Sequence, residues 1–441
     1  MITEHRIKRI YLSLVVLAFT TFMSGQVMAT TPTSEEMWRV IQDQQRVIDE
    51  LKAKLDQTEI KINASNEKIE ETVSTVELTA EAIEQVTLRS EKAKTSRTSV
   101  GGYGELHYNN LSDDNQDIGG DDDSSRVDFH RFVLYFGHEF SDSIRFFSEI
   151  ELEHSLAGNE LPGEIELEQA WLEMDINDSH RVRAGLDILP IGIINQTHEP
   201  NTFYGVERNR VESEIIPATW WEAGIGLNGE IAPGWNYDAV IHTGLAIPTQ
   251  GSSSLRPRSG RLKVAEADDQ DIALTGRLRY TGMPGLEIGI SGQYQADVTG
   301  TNDAVDMSAT LFEGHVIWHH SSGVGLRALY ARWDFDDDPL INLAGLNAES
   351  LDGFYIEPSY RFELPIKRLG EVGVFARYSQ WDERNQITGA HRFENFEQFS
   401  LGFNWWPHAN VALKFDAQFE DADGPVDRVL DGINLGLGYQ F

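Results

Sequence analysis

The chain has 441 residues, 71 Asp and Glu against 36 Lys and Arg, a formal net charge of −35, and no cysteine. That charge argues against a nucleic-acid partner. The missing thiols exclude disulfides, a lipidated cysteine, thiol catalysis and Cys-ligated metal. Hydrophobic residues make up 40%, too few for a helical membrane protein but suited to a transmembrane barrel, in which half of each strand faces water.

The N-terminus reads as a secretory signal over 1–29. Arg6, Lys8 and Arg9 form a basic start, Tyr11 to Phe22 a short apolar run, and Val27-Met28-Ala29 a small-residue cleavage site. Residues 30–96 form the second expected region. From 37 to 93 there is no Pro or Gly, and Ile41, Ile48, Leu55, Ile62, Ile69, Val76 and Ile83 recur every seven residues. A sustained seven-residue repeat predicts a left-handed coiled coil, and β-branched residues in its core favour trimers or tetramers over dimers. A parallel homotrimer is therefore expected, with an α-helical rod of roughly 80 Å at ~1.5 Å per residue reaching into the periplasm.

From 97 to 441 the pattern changes to period two, which a strand needs because successive side chains point to opposite faces. Sixteen strands are predicted, at 99–110, 126–138, 143–154, 164–176, 180–188, 219–231, 235–244, 270–281, 285–297, 307–319, 323–334, 352–363, 370–381, 395–406, 409–420 and 431–441. Short connections alternate with long ones at 111–125, 155–163, 189–218, 245–269, 298–306, 335–351, 382–394 and 421–430. That is the asymmetry of periplasmic turns and external loops, and an even count is what a bacterial barrel requires. Ile433, Leu435, Leu437, Tyr439 and Phe441 put an apolar face and an aromatic end on the last strand. Trp220, Trp221, Trp235, Trp318, Trp333, Trp381, Trp405 and Trp406 fall near strand ends, where they are expected to form interfacial girdles.

Alternation also assigns the water-filled side. Arg131, Arg145, Arg183, Arg277, Arg279, Arg361, Arg377 and Lys414 fall on the inner face, as do Glu105, Glu149, Glu173, Asp238, Glu313 and Glu357. A lipid-facing charge near the midplane would cost about 2–4 kcal/mol, so inward placement is an energetic requirement before it is a functional claim. The longest connection, 189–218, carries Glu199, Glu207, Arg208, Arg210 and Glu212. A long structured loop in a barrel is often functional; this one either folds inward as a constriction or makes trimer contacts. The acidic run Asp113, Asp114, Asp117, Asp121, Asp122 and Asp123 suits Ca²⁺ or Mg²⁺ at the lipopolysaccharide surface. No other metal, no cofactor and no catalytic residue is expected; the pairs Glu313 with His315 and His319 with His320 have no placed serine nucleophile.

Gln169-Ala170-Trp171-Leu172-Glu173, followed by Arg181-Val182-Arg183-Ala184-Gly185 and running to Pro190-Ile191-Gly192, resembles the phosphate-selective porin O and P family. Gly353 to Tyr360, Ala376 to Ser379 and Leu401 to Trp406 look like that family's C-terminal strands. The resemblance implies a trimeric sixteen-stranded outer-membrane porin with Arg and Lys along an anion path, to which Arg131, Arg183, Arg279 and Arg377 are candidate matches. Interleaved inner acids depart from a purely basic ladder. The reading is therefore passive diffusion of small hydrophilic solutes or ions across a Gram-negative outer membrane, with an anion or phosphate preference implied by the resemblance. The alternatives are a structural anchor whose coiled coil tethers the envelope, in contact with periplasmic components, and a barrel hydrolase.

Overall fold

A computed structural model describes residues 97–113, 124–158, 161–249, 253–265, 267, 272–300, 306–336, 350–387, 390–423 and 429–441, with seven scattered helical positions between Trp38 and Lys54. The signal segment, the heptad core from Ile41 to Ile83 and the acidic run 114–123 lie outside the described residues.

The unit Ser96–Phe441 contains sixteen antiparallel strands. In chain order they are β1 Thr98–Asp113, β2 Ser124–Glu139, β3 Ile144–Glu153, β4 Ile165–Asp175, β5 His180–Ile188, β6 Trp221–Ala232, β7 Trp235–Thr243 and β8 Ile272–Met283. They continue as β9 Leu286–Gln295, β10 Ala309–His319, β11 Val324–Phe335, β12 Ser350–Glu363, β13 Glu371–Ile387, β14 Ala390–His408, β15 Val411–Ala422 and β16 Leu430–Gln440. Each pairs with its neighbours in sequence, and β16 closes on β1 from Tyr103↔Gln440 to Asp113↔Leu430. Closure leaves no unpaired strand edge, the condition for a sheet to sit in hydrocarbon. The last strand is tied in by Phe441, whose N–H donates to Gly102 O (2.9 Å) and whose carbonyl accepts from Gly102 N (3.0 Å). Tyr439 lies over Gly104, where a Cβ would meet the tyrosine ring.

The period of two becomes an apolar belt outside. Leu172, Ile225, Ile241, Ile290, Phe312, Ile356, Leu401 and Leu435 are exposed on that face. The predicted inner residues Arg131, Glu149, Glu173, Arg277, Glu313, Glu357, Arg377 and Lys414 are buried inside. Tight turns join the strands at one end, with Gly234 (φ +80°) and Gly323 (φ +93°) in the left-handed region that favours glycine.

Two expectations need correction. The connection expected over 382–394 is mostly strand: β13 and β14 remain paired to Ile387↔Ala390. Its residues carry no apolar alternation, and at its base a side-chain bond crosses the pair, from Asn395 Nδ2 to Asp382 Oδ1 (3.0 Å). The tryptophan girdle also fails in part. Trp235 and Trp318 are exposed, but Trp220, Trp221, Trp333, Trp381 and Trp406 are buried inside the barrel. Loops that fold into the lumen cover them: Trp220, Trp333 and Trp381 join one buried apolar cluster, and Trp406 packs with Tyr204 in another.

Candidate functional site

The connection between β5 and β6 turns inward. Near its end, Glu212 is fully buried and reaches back to the loop's start, collecting three donors: Ile193 N (2.9 Å), Ile194 N (2.6 Å) and the Tyr355 hydroxyl on β12 (2.7 Å). Burial raises this carboxyl's pKa, and the Tyr355 hydrogen bond opposes the rise. Asn195 closes the loop's neck by accepting from Trp220 N (2.7 Å) and donating to Leu189 O (2.8 Å). Glu212 belongs to a one-turn π-helix, Val211–Ile215, that packs its apolar side on the wall. Ile191, Val211, Ile215, Ile216 and Trp220 meet Leu311, Leu329, Trp333, Leu351 and Trp381 in one cluster. Leu245, Ile247 and Leu255 of the β7–β8 connection join the same cluster, so that loop too folds inside.

The loop's middle is fastened by its own backbone. Carbonyls of Thr202, Phe203, Tyr204 and Gly205 accept from Arg327 (2.8 Å), Asn404 (2.8 Å), Arg377 (2.6 Å) and Lys414 (2.8 Å). Asp416 accepts from Val206 N (2.6 Å). Arg377 also pairs with Glu357 (2.6 Å). Lys414, expected along the pore, lies 3.5 Å over the Phe203 ring and is only 4% exposed; it holds the loop and does not face solvent.

What stays open is a cavity of about 410 Å³ between the loop and the wall formed by β1, β2 and β13–β16. Six arginines line it (Arg126, Arg131, Arg208, Arg210, Arg258, Arg377) with five carboxylates (Glu105, Glu207, Glu214, Asp416, Glu420), so the lining is mixed in sign. Arg131 pairs with Glu105 (2.5 Å) and Glu151 (3.4 Å). Glu207 docks on His107 Nδ1 (3.0 Å) and Asn109 Nδ2 (3.0 Å). Burial works against the Glu207 charge, but His107 outweighs it and holds this carboxyl down at about 2. Arg210 pairs with Glu214 (3.3 Å) and Glu383 (3.1 Å).

Arg208 and Arg258 differ. Among the described residues, Arg208 donates only to Thr219 Oγ1 (3.2 Å), and its Nη2 is buried without a partner. Arg258 donates to the carbonyls of Ala218 (2.6 Å) and Ser213 (3.5 Å). Burial, and then the nearby Arg261 guanidinium, push Arg258 down to about 9. Both are cations held on neutral acceptors.

The other expected pore residues lie outside this cavity's lining. Arg145 and Arg183 pair with Glu173 (2.7 and 2.9 Å). Arg277 pairs with Asp238 (2.8 Å), Arg279 with Glu287 (3.8 Å) and Arg361 with Glu371 (2.5 Å). Glu313 takes the Ser291 hydroxyl (2.6 Å), and Glu149 takes Gln169 (2.6 Å). Glu199 is half-buried, and its backbone carbonyl accepts from Thr202 N (3.0 Å). Sequence reasoning missed Arg258, because it sits in a loop without period, and His130. The β2 register slips beside His130, from Glu105↔Arg131 to His107↔Asp128, and such a bulge turns an out-of-phase residue inward.

Comparison places the chain among known proteins. The family model described as phosphate-selective porin O and P matches residues 100–425. An uncharacterized protein of Aquifex aeolicus (strain VF5) is 32% identical over 343 residues, 73% of this chain and 76% of that protein. The fold is similar to an anion-selective porin from Comamonas acidovorans (TM-score 0.54, 12% identity, 78% of this chain and all of that one). It is also similar to Salmonella typhi OmpF in complex with daunomycin (0.53, 11%, 78% and 98%) and to Pseudomonas putida OprB at high pH (0.51, 12%, 80% and 96%).

Proposed function

This chain belongs to the phosphate-selective porin O and P family, and from that premise we propose that its passage favours small anions. It is an outer-membrane porin: hydrophilic solutes cross by passive diffusion. The observation that carries the anion preference is the pair Arg208 and Arg258, which face the cavity with neutral acceptors only. Most arginines elsewhere inside are ion-paired with a carboxylate, whereas these two make no ion pair among the described residues and add a local positive excess beside Glu214 and Glu151. The net charge of −35 does not cancel it, because exposed loop carboxylates beyond about 10 Å are screened in 0.1 M salt. A mixed passage with a local positive excess selects by sign at the constriction.

Reconstitution in planar bilayers under a KCl gradient tests this. The reversal potential is expected to have the sign of chloride selectivity, and the double variant Arg208→Ala, Arg258→Ala to shift it towards potassium. Cation selectivity in the unaltered protein would overturn the anion reading while leaving the porin intact. Diffusion requires no bond-breaking step, and the protein works as a channel without catalysis. The heptad from Ile41 to Ile83 supports a homotrimer whose coiled coil extends into the periplasm towards envelope components. The acidic run near Asp121 supports divalent-cation bridging to lipopolysaccharide.

A further inference from the structure

We propose that Glu149, Glu168 and His198 form a site for one divalent transition-metal ion of the Zn²⁺ class, which fastens the inward loop to the barrel wall. The three side chains come from β3, β4 and the loop, and each is at most 3% exposed. Glu149 Oε1, Glu168 Oε2 and His198 Nε2 are buried with no hydrogen-bond partner. A buried polar atom left unsatisfied costs about 1–3 kcal/mol, more when charged, so three that face one another call for a common occupant.

Their spacing fits an ion. His198 Nε2 lies 3.4 Å from Glu149 Oε1 and 3.6 Å from Glu168 Oε2, and all three atoms fall within 4.8 Å of one another. A tetrahedral zinc with bonds of about 2.0–2.1 Å keeps its donor atoms roughly 3.3–3.4 Å apart. Imidazole with carboxylate is a donor set for borderline first-row cations.

Each donor is also aimed from behind. His198 Nδ1 is 3.0 Å from the Asn195 carbonyl. A carbonyl only accepts, so Nδ1 carries the hydrogen, and in the neutral ring Nε2 presents its lone pair to the site. Glu149 Oε2 accepts from Gln169 Nε2 (2.6 Å), and Glu168 Oε1 from Thr219 Oγ1 (3.1 Å). Such outer partners are the usual companions of metal ligands. The β4 register slips here, from Glu149↔Gln169 to Ile150↔Leu167; this bulge brings Glu168 inside next to Gln169. Tyr103, whose hydroxyl is also buried and unpartnered, packs edge-on to His198 with ring centroids 6.0 Å apart.

Charge points the same way. Two carboxylates and a neutral imidazole are a formal donor set of −2, which one divalent ion brings to zero. A nearby histidine group, Asp128, His130 and His154, differs. Both of its Nδ1 atoms already bond to Asp128 Oδ2 (3.2 and 2.8 Å), and it needs no ion.

The site is sealed in the folded barrel, so the ion enters as the chain folds, as structural metals do. The test measures metal content by mass spectrometry on full-length protein extracted from outer membranes, and again after refolding from urea with Zn²⁺ or with chelator. About one Zn²⁺ per chain is expected, resisting dialysis, and the Glu168→Gln and His198→Gln variants are expected to lose that equivalent. Heat-resistant gel migration shows that each variant still closes its barrel, and the isosteric Glu168→Gln serves if His198→Gln does not. No retained zinc after either preparation, or one full equivalent in both variants, would overturn the proposal. Neither readout depends on which ions the pore selects.

Discussion

Glu212 offers the sharpest perturbation of the inward loop. Its carboxylate is the shared acceptor for Ile193 N, Ile194 N and the Tyr355 hydroxyl, at 2.9, 2.6 and 2.7 Å. Glu212→Ala strands three donors in a fully buried place. At about 1–3 kcal/mol for each unsatisfied group, the docked loop loses about 3–9 kcal/mol, less whatever entering water recovers. The low end alone is roughly a hundredfold shift towards the undocked state, since about 1.4 kcal/mol is tenfold. The strand ladder does not pass through this residue, so the barrel itself stays closed. The expected result is faster amide exchange over 189–216, with larger and noisier single-channel currents, while heat-resistant migration is unchanged. Glu212→Gln keeps one acceptor oxygen and should fall between. Unaltered exchange and conductance in Glu212→Ala, with the substitution verified, would refute the reasoning.

Other outcomes follow from the same geometry. Arg377→Ala leaves the Glu357 carboxylate buried and uncompensated and frees the Tyr204 carbonyl; a loss of about 3–5 kcal/mol should show as a lower thermal midpoint, partly restored by pairing Arg377→Met with Glu357→Leu. Ile290→Lys, in the middle of β9 on the exposed apolar face, should cost about 2–4 kcal/mol and reduce the heat-resistant fraction on refolding into lipid vesicles. Acid should loosen the loop. The Glu207 carboxyl sits at about 2 when docked on His107, below its usual range, so its contribution is present above the ordinary carboxylate pKa and disappears as pH falls from there towards 2. Amide exchange near 207 should rise over that window and lose the dependence in Glu207→Gln.

The barrel was legible because lipid imposes a rule on every strand. The alternation of Ile433, Leu435 and Leu437 with Asn434 and Gly436 states both faces at once, and all sixteen strands lie within a few residues of their sequence ranges apart from the extended β13 and β14. The site was less legible for two physical reasons. A bulge adds one residue and reverses phase, so strict alternation cannot place Glu168 or His130. An inward loop also changes the solvent of the inner wall: Trp333 and Trp381 read as interfacial, and Lys414 as pore-lining, because nothing local announces that Ile215 and Phe203 will cover them. The loop's own polar residues gave the hint, since Glu207, Arg208 and Arg210 sit in a connection too long for a simple turn.

The account depends on water running past Arg208 in the cavity between the inward loop and the wall. The chain has no cysteine, so Arg208→Cys provides a unique thiol. Bilayer currents recorded while a bulky methanethiosulfonate is added should fall in steps and recover with reductant. Full modification by mass spectrometry with no change in current would contradict the placement of this loop in the conducting path.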